Sequence, residues 1–139
     1  MKVKNTGAES TLKLESLVFT NISFSQPNPS VDVELKLNIN RTITPLSNDK
    51  HRVMLVMILS DEKKQVEIKL EAVAIFVLEH IDNMPDEDYS DIINKNTVSI
   101  MFPYLRSQLT LLTSQPGCVP IIMPPMNINS LLEDETINN

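Results

Sequence analysis

Five carboxylates, Asp82, Asp86, Glu87, Asp88 and Asp91, crowd one short stretch and are the side chains best suited to hold a hard cation. A calcium loop of the EF-hand kind starting at Asp82 needs glycine at its sixth position and glutamate at its twelfth. Glu87 and Ile93 stand there. The acids therefore read as a solvated loop running into a helix, whose N-terminus favours negative charge. His51 and His80 have no cysteine, histidine or glutamate at ligand spacing and read as exposed or interface histidines. Cys118 is the single cysteine, so no intrachain disulfide framework exists; it fits a reducing compartment as a small buried hydrophobe. With two glycines, and no G-x-S-x-G or dinucleotide fingerprint, a phosphate cradle or nucleophile elbow is not expected. The expectation is a chain that is not an enzyme and uses no metal or cofactor.

Length and charge narrow the remaining classes. At 139 residues the chain makes one domain. A net charge of −6 and a pI near 4.8 argue against binding nucleic acid, which needs clustered Lys and Arg. Met1-Lys2-Val3-Lys4-Asn5-Thr6-Gly7 has basic residues with no apolar run after them, unlike a secretory leader. The longest apolar runs, Val53–Leu59 and Ala72–Leu78, are too short to cross a bilayer as helices, so no membrane insertion and a cytoplasmic location are expected. Residues 1–10 read as a flexible arm, 11–136 as the domain and 137–139 as a frayed end.

The elements follow from periodicity. A first strand covers about Thr11 to Phe24, with Leu12 and Leu14 alternating early and Ile22 and Phe24 late. Gln26-Pro27-Asn28-Pro29-Ser30 is a turn or crossover. Val31, Val33, Leu35, Leu37 and Ile39 alternate with polar residues in a second strand, one face apolar and the other wet. Thr44–Asp49 is a loop, Val53–Leu59 a third strand, and Asp61-Glu62-Lys63-Lys64 a charged hairpin connection. Val66, Ile68, Leu70 and Ala72 alternate in a fourth strand that turns apolar on both faces from Ala72 to Leu78. A half-wet antiparallel sheet does not require that second apolar face, so something else must cover it. A helix begins near Asp88 or Ser90 as N-cap. Its apolar set, including Ile93, Val98, Ile100, Met101, Tyr104, Leu105, Leu109 and Leu112, is wider than one sheet would require. A short helix over about Asn129–Thr136 closes the chain. Strands before helices indicate an α+β fold with an antiparallel sheet.

Within this plan, Asn96–Leu131 is the most distinctive stretch. Met101-Phe102-Pro103-Tyr104-Leu105-Arg106 places a proline inside a helix, at a cost of about 3 kcal/mol, which points to a bend needed for packing. Gln115-Pro116-Gly117, Met123-Pro124-Pro125-Met126-Asn127 and Leu131-Leu132 follow. The series resembles the SecB family of export chaperones. Phe102, Pro103, Tyr104, Arg106, Gly117, Pro120, Pro125, Asn127 and Leu131 match the family pattern. So do Ile22-Ser23-Phe24 with Pro27, Asn28 and Pro29, and Ile75-Phe76. The resemblance spans about Leu12 to Leu132.

The resemblance implies a four-stranded Greek-key sheet of order 2-3-4-1, with a long helix and a short C-terminal helix on one face. It implies a homotetramer built as a dimer of dimers, with first strands paired across the dimer and long helices sandwiched between two sheets. By analogy, Phe24, Leu35, Leu37, Phe76, Ile121 and Ile122 would contact clients, and Ile68, Leu70, Ala72, Leu105, Leu109 and Leu112 would meet partner subunits. The family's docking face for the SecA motor would fall at Asn21, Ser25, Glu67 and Lys69. Three acids are absent there, one of them reversed in sign at Lys69. The acids Glu15, Asp32, Glu34, Glu67 and Glu71 would still leave that face negative on balance. The family's crossover is longer than Ser25–Asp32 and carries a tryptophan, which this chain lacks, and its C-terminal tail is nearly absent.

The implied function is that of an ATP-independent holdase for unfolded or partly folded polypeptides, in protein export. The alternatives are a SecB-like chaperone dedicated to one partner such as an antitoxin, or an oligomeric scaffold without client activity. Seven methionines, among them Met54, Met57, Met101, Met123 and Met126, suit either an adaptable client surface or an ordinary core.

Overall fold

The computed structural model describes residues 12–27, 33–47, 49–79 and 83–137, with side chains to residue 132. Four antiparallel strands form one sheet: β1 (Leu12–Ser25), β2 (Lys36–Pro45), β3 (Lys50–Ser60) and β4 (Glu67–Leu78), in spatial order β1-β4-β3-β2. After the sheet come α1 (Asp86–Asp91), a π-helical turn (Ile92–Asn96), α2 (Thr97–Thr113) and α3 (Ile128–Ile137). The α+β class, the strand order and the pairing of a long and a short helix agree with the sequence reading. No helix among the described residues is long and apolar enough to cross a membrane. The N-terminal arm, Asn28–Ser30 of the crossover, His80 and the chain's last two residues lie outside the described residues.

β1 alternates at both ends but not throughout, and two bulges explain why. The register with β4 shifts between Leu14 and Ser16 and again between Phe19 and Asn21. Each shift adds one residue, Glu15 and then Thr20, and turns the strand so that Leu17 and Phe19, then Ile22 and Phe24, return to the inner face. A strict period of two would have put half of these apolar groups in water.

β2 is displaced from its expected position. The alternating run from Val31 to Ile39 suggests a strand there, but the ladder runs from Lys36↔Ser60 to Pro45↔His51. Residues 33–35 precede the strand, and Thr44 and Pro45 are in it rather than in a loop. Pro45 is tolerated because β2 is an edge strand, where a missing N–H breaks no inner ladder.

Inner-face side chains line up in rows across the strands. Ile22–Leu70–Met57–Ile39 and Phe19–Ala72–Leu55–Arg41 are two of them. Leu70, Met57, Ala72 and Leu55 are wholly buried. α2 packs on β3 and β4 through Val98, Met101, Phe102, Leu105 and Leu109. Fully burying one such side chain stabilises the fold by about 1.5–3 kcal/mol.

The helical layer starts earlier than expected. Pro85 is the N-cap of α1, so Asp88 and Ser90 are inside the helix. The acids 86–88 form its first turn, where the helix dipole favours them. Asp86, Glu87, Asp88 and Asp91 are all exposed. The turn after α2 uses Pro116 and Gly117 with Gly117 at φ +81°, and the Cys118 N–H donates to the Gln115 carbonyl (3.0 Å). That is a type II turn, whose third residue needs the left-handed region that glycine enters freely.

Candidate functional site

The candidate client residues fall in three places. Phe24 and Leu37 belong to one inner-face row, Phe24–Ile68–Leu59–Leu37, at the end of the sheet beside the β3–β4 turn. Ile68 and Leu59 at its centre are buried, whereas Phe24 and Leu37 on the two edge strands are half-buried. Leu35 continues this edge into a cleft of about 790 Å³ bounded by Val33–Lys36 and by the turn Ser60–Gln65.

That turn is held by Asp61. Its carboxylate accepts the backbone N–H of Val66 (2.7 Å) and of Lys63 (3.2 Å), and Lys64 adopts φ 56°. Hydrogen bonding to Val66 leads the causes that hold the Asp61 carboxyl below the ordinary range, against the opposing effect of burial. The rim mixes Glu34 and Glu62 with Lys36, Lys63 and Lys64.

Ile121 and Ile122 lie on the connector between α2 and α3. The connector is anchored through Ile121: its N–H donates to Thr113 Oγ1 (2.8 Å), and its carbonyl accepts from Thr110 Oγ1 (2.8 Å). With that backbone fixed, Ile121 packs against the core, while its neighbours point out. Ile122 is 79% exposed and Val119 is 83% exposed. The sequence reading names Ile122 but not Val119, which sits between Cys118 and Pro120 in a segment with no periodicity to betray its direction.

Phe76 does not belong with these residues. It lies in the row Leu14–Phe76–His51–Pro45, at the opposite end of the sheet, and is wholly buried. Eight strand positions separate it from Ile68, about 27 Å at 3.4 Å per residue. It is a core side chain.

The proposed subunit contacts also need correction. Ile68, Leu70, Ala72, Leu105 and Leu109 have no exposed surface in the single subunit, because α2 packs its own Leu105 and Leu109 on the sheet face that carries Ile68, Leu70 and Ala72. Only Leu112 of that set is half-exposed. The helix is nonetheless apolar on a second side. Tyr104 and Leu111, seven positions apart and hence on one face, are 49% and 65% exposed, and half-buried Ile100 precedes them by one turn.

Two polar side chains on the inner face were not anticipated. Arg41 enters the apolar face of β2 and donates through Nη1 to the carbonyl of Asn94, in the π-helical turn. A π-helical turn displaces carbonyls from the regular α-helical ladder, and Arg41 satisfies this one from below. His51 is buried rather than exposed, 6.0 Å from the Tyr89 ring of α1, and burial lowers its pKa. The Tyr89 hydroxyl donates to the Leu78 carbonyl (3.2 Å), which fastens α1 to the end of β4.

Asn21, Ser25, Glu67 and Lys69 share the outer face of the sheet: Asn21 pairs with Glu71, Ser25 with Glu67, and Ser23 with Lys69. Among the described residues its charge is close to balance, where the sequence reading expects it negative. The outward residues include Lys13, Lys36, Lys50, Arg52 and Lys69 against Glu15, Glu67 and Glu71. Glu34 precedes β2, and Asp32 lies outside the described residues.

A family model described as preprotein translocase subunit SecB matches residues 6–139. An uncharacterised protein of Methanocaldococcus jannaschii is 26% identical over 132 residues, covering 87% of this chain and 82% of that one. Protein-export protein SecB of Orientia tsutsugamushi is 27% identical over 146 residues, covering 95% of this chain and 88% of its own length. A Mycobacterium tuberculosis SecB-like chaperone, solved with a peptide from an antitoxin, superposes with a TM-score of 0.66 at 13% identity over 83% of this chain and 90% of the other. The strand order, the helical layer, the Phe102–Arg106 motif and the match over nearly the whole length agree, and the chain belongs to the SecB family.

Proposed function

We propose that this protein is an ATP-independent holdase that binds unfolded or partly folded polypeptides in the cytoplasm and keeps them from aggregating. The observation that carries this reading is the connector, which holds Val119 and Ile122 in water on a backbone pinned by two threonine hydroxyls. A soluble chain that exposes large aliphatic groups on a fixed support has built an adhesive surface, and apolar contact without directional chemistry suits clients of many sequences. Phe24, Leu35 and Leu37 supply a second half-exposed apolar region beside the 790 Å³ cleft. The SecB-named relatives support the same reading.

Assembly follows from the outward stripe of α2. Ile100, Tyr104 and Leu111 offer a helical face that a second subunit would cover, and β1, at the edge of the sheet among the described strands, offers a strand for edge-to-edge pairing. A homotetramer built as a dimer of dimers uses both.

A second reading, a chaperone dedicated to an antitoxin, is favoured by the solved relative in complex with an antitoxin peptide. Suppression of aggregation of several unrelated denatured proteins, without nucleotide, supports the general holdase. Suppression confined to one partner supports the dedicated chaperone. Delivery to a motor that reads an acidic sheet face is disfavoured by the cations on this one.

A further inference from the structure

The outer face of the sheet is covered by nothing among the described residues, because α2 packs on the inner face and the outward positions of β3 and β4 are only half-buried. Its side chains run in rows fixed by register. Lys13–Val77–Lys50 lies at one end, followed by Ser16–Ile75–Arg52–Thr44, then Val18–Val73–Met54–Thr42. Beyond these lie Asn21–Glu71–Val56–Asn40 and Ser23–Lys69–Ile58–Asn38. The centre is aliphatic and spans β1, β4 and β3, with Val18 57% exposed. Three strands at 4.8 Å spacing make a strip about 10 Å wide, the width that one helix covers.

The charges around this strip are richer in cations than the chain as a whole. Among the described residues five cations face four carboxylates, counting exposed Glu34 just before β2, on a chain whose whole charge is −6. Two of those carboxylates have partners within the face. Glu15 is 3.0 Å from Lys50 Nζ, and Glu71 accepts the Thr20 hydroxyl at 2.7 Å. Lys13, Arg52 and Lys69 have no side-chain partner among the described residues. Arg52 and Lys69 lie at opposite ends of the aliphatic centre, six positions apart along the sheet, or about 20 Å.

We infer that this outer face docks an acidic amphipathic helix, its apolar stripe laid over Val18, Val73 and Met54 and its carboxylates meeting Arg52, Lys69 and Lys13. Helix-on-sheet burial supplies the contact, and the cations set its register and reject basic partners. The surface is separate from the connector; it meets the cleft at Leu35 only along its margin, through Lys36, Asn38 and Ser60, and Val18, Val73 and Met54 lie outside that cleft.

The test uses the full-length protein and two fluorescent amphipathic peptides with the same leucine stripe, one flanked by glutamates and one by lysines. Fluorescence anisotropy should show the glutamate peptide binding at least about tenfold more tightly, weakening as salt screens the cations. Joint substitution of Lys13→Glu, Arg52→Glu and Lys69→Glu should reverse the preference, and Val18→Asp should weaken the glutamate peptide. Joint Val119→Ser and Ile122→Ser substitution should leave it unchanged, which separates this face from the client surface. Equal binding of both peptides overturns the inference. So does binding that survives the charge reversals but is lost in the connector variant, or sedimentation showing that the face is instead buried between copies of this chain.

Discussion

The two faces of one sheet differ more than the residue types on them suggest. β3 and β4 are aliphatic on both sides, yet Val53, Leu55, Met57, Leu70 and Ala72 are wholly buried while Met54, Val56, Ile58, Val73 and Ile75 remain half-exposed. Position decides: α2 covers one face and nothing described covers the other. The inner face makes the subunit stable. The outer face, aliphatic at its centre and charged toward its ends, stays in contact with water.

The largest expected effect is at Leu70. An arginine at a site with no exposed surface would bury an unpaired charge, at a cost of at least about 3–5 kcal/mol, so Leu70→Arg should unfold the subunit rather than merely split an assembly. Circular dichroism with light scattering checks this. A folded variant of reduced mass would return Leu70 to a subunit interface. Phe76→Ser should cost about 3–5 kcal/mol of stability and lower client capture only as far as unfolding explains. The contrasting outer-face change Val73→Thr should shift the melting midpoint little, since surface substitutions fall within about 0.5 kcal/mol.

A smaller effect belongs to Thr113, which is 1% exposed and accepts the Ile121 N–H. Thr113→Val should leave that donor without its partner, cost about 1–3 kcal/mol and loosen the connector, seen as faster amide exchange at Ile121.

The smallest is a pH dependence at the buried end of the sheet. Burial lowers the His51 pKa, so the unfolded chain binds the proton more tightly than the folded one, and stability should fall as pH drops below the ordinary histidine value of about 6.5. His51→Phe should flatten denaturant midpoints measured between neutral and mildly acid pH. An unchanged slope would mean that His51 is not the titrating group.

These contrasts also show how far residues alone led. The strand order and class followed from alternation and from the SecB resemblance, because a period of two is a direct consequence of backbone geometry. Residues 33–35 kept that alternation outside the strand, so β2 slid toward Pro45: pattern shows which side chains share a face, not where a ladder ends. Phe76 and Ile121 both look apolar, and the family analogy gives both to clients. Only three-dimensional packing shows that one is core at the wrong end of the sheet and the other a tether. Arg41 was unreadable because its partner, the Asn94 carbonyl, exists only after the π-helical turn forms 53 residues later. The charge balance of the outer face required the register, which brings distant cations side by side.

The most direct measurement is aggregation of an unrelated denatured protein, followed by light scattering in the absence of nucleotide. The chain should suppress it at near-stoichiometric amounts. Joint Val119→Ser and Ile122→Ser substitution should weaken suppression at least about fivefold, while the melting midpoint stays put because both side chains stand in water. Failure of the unmodified protein to suppress aggregation, or full suppression by the double variant, would contradict the account.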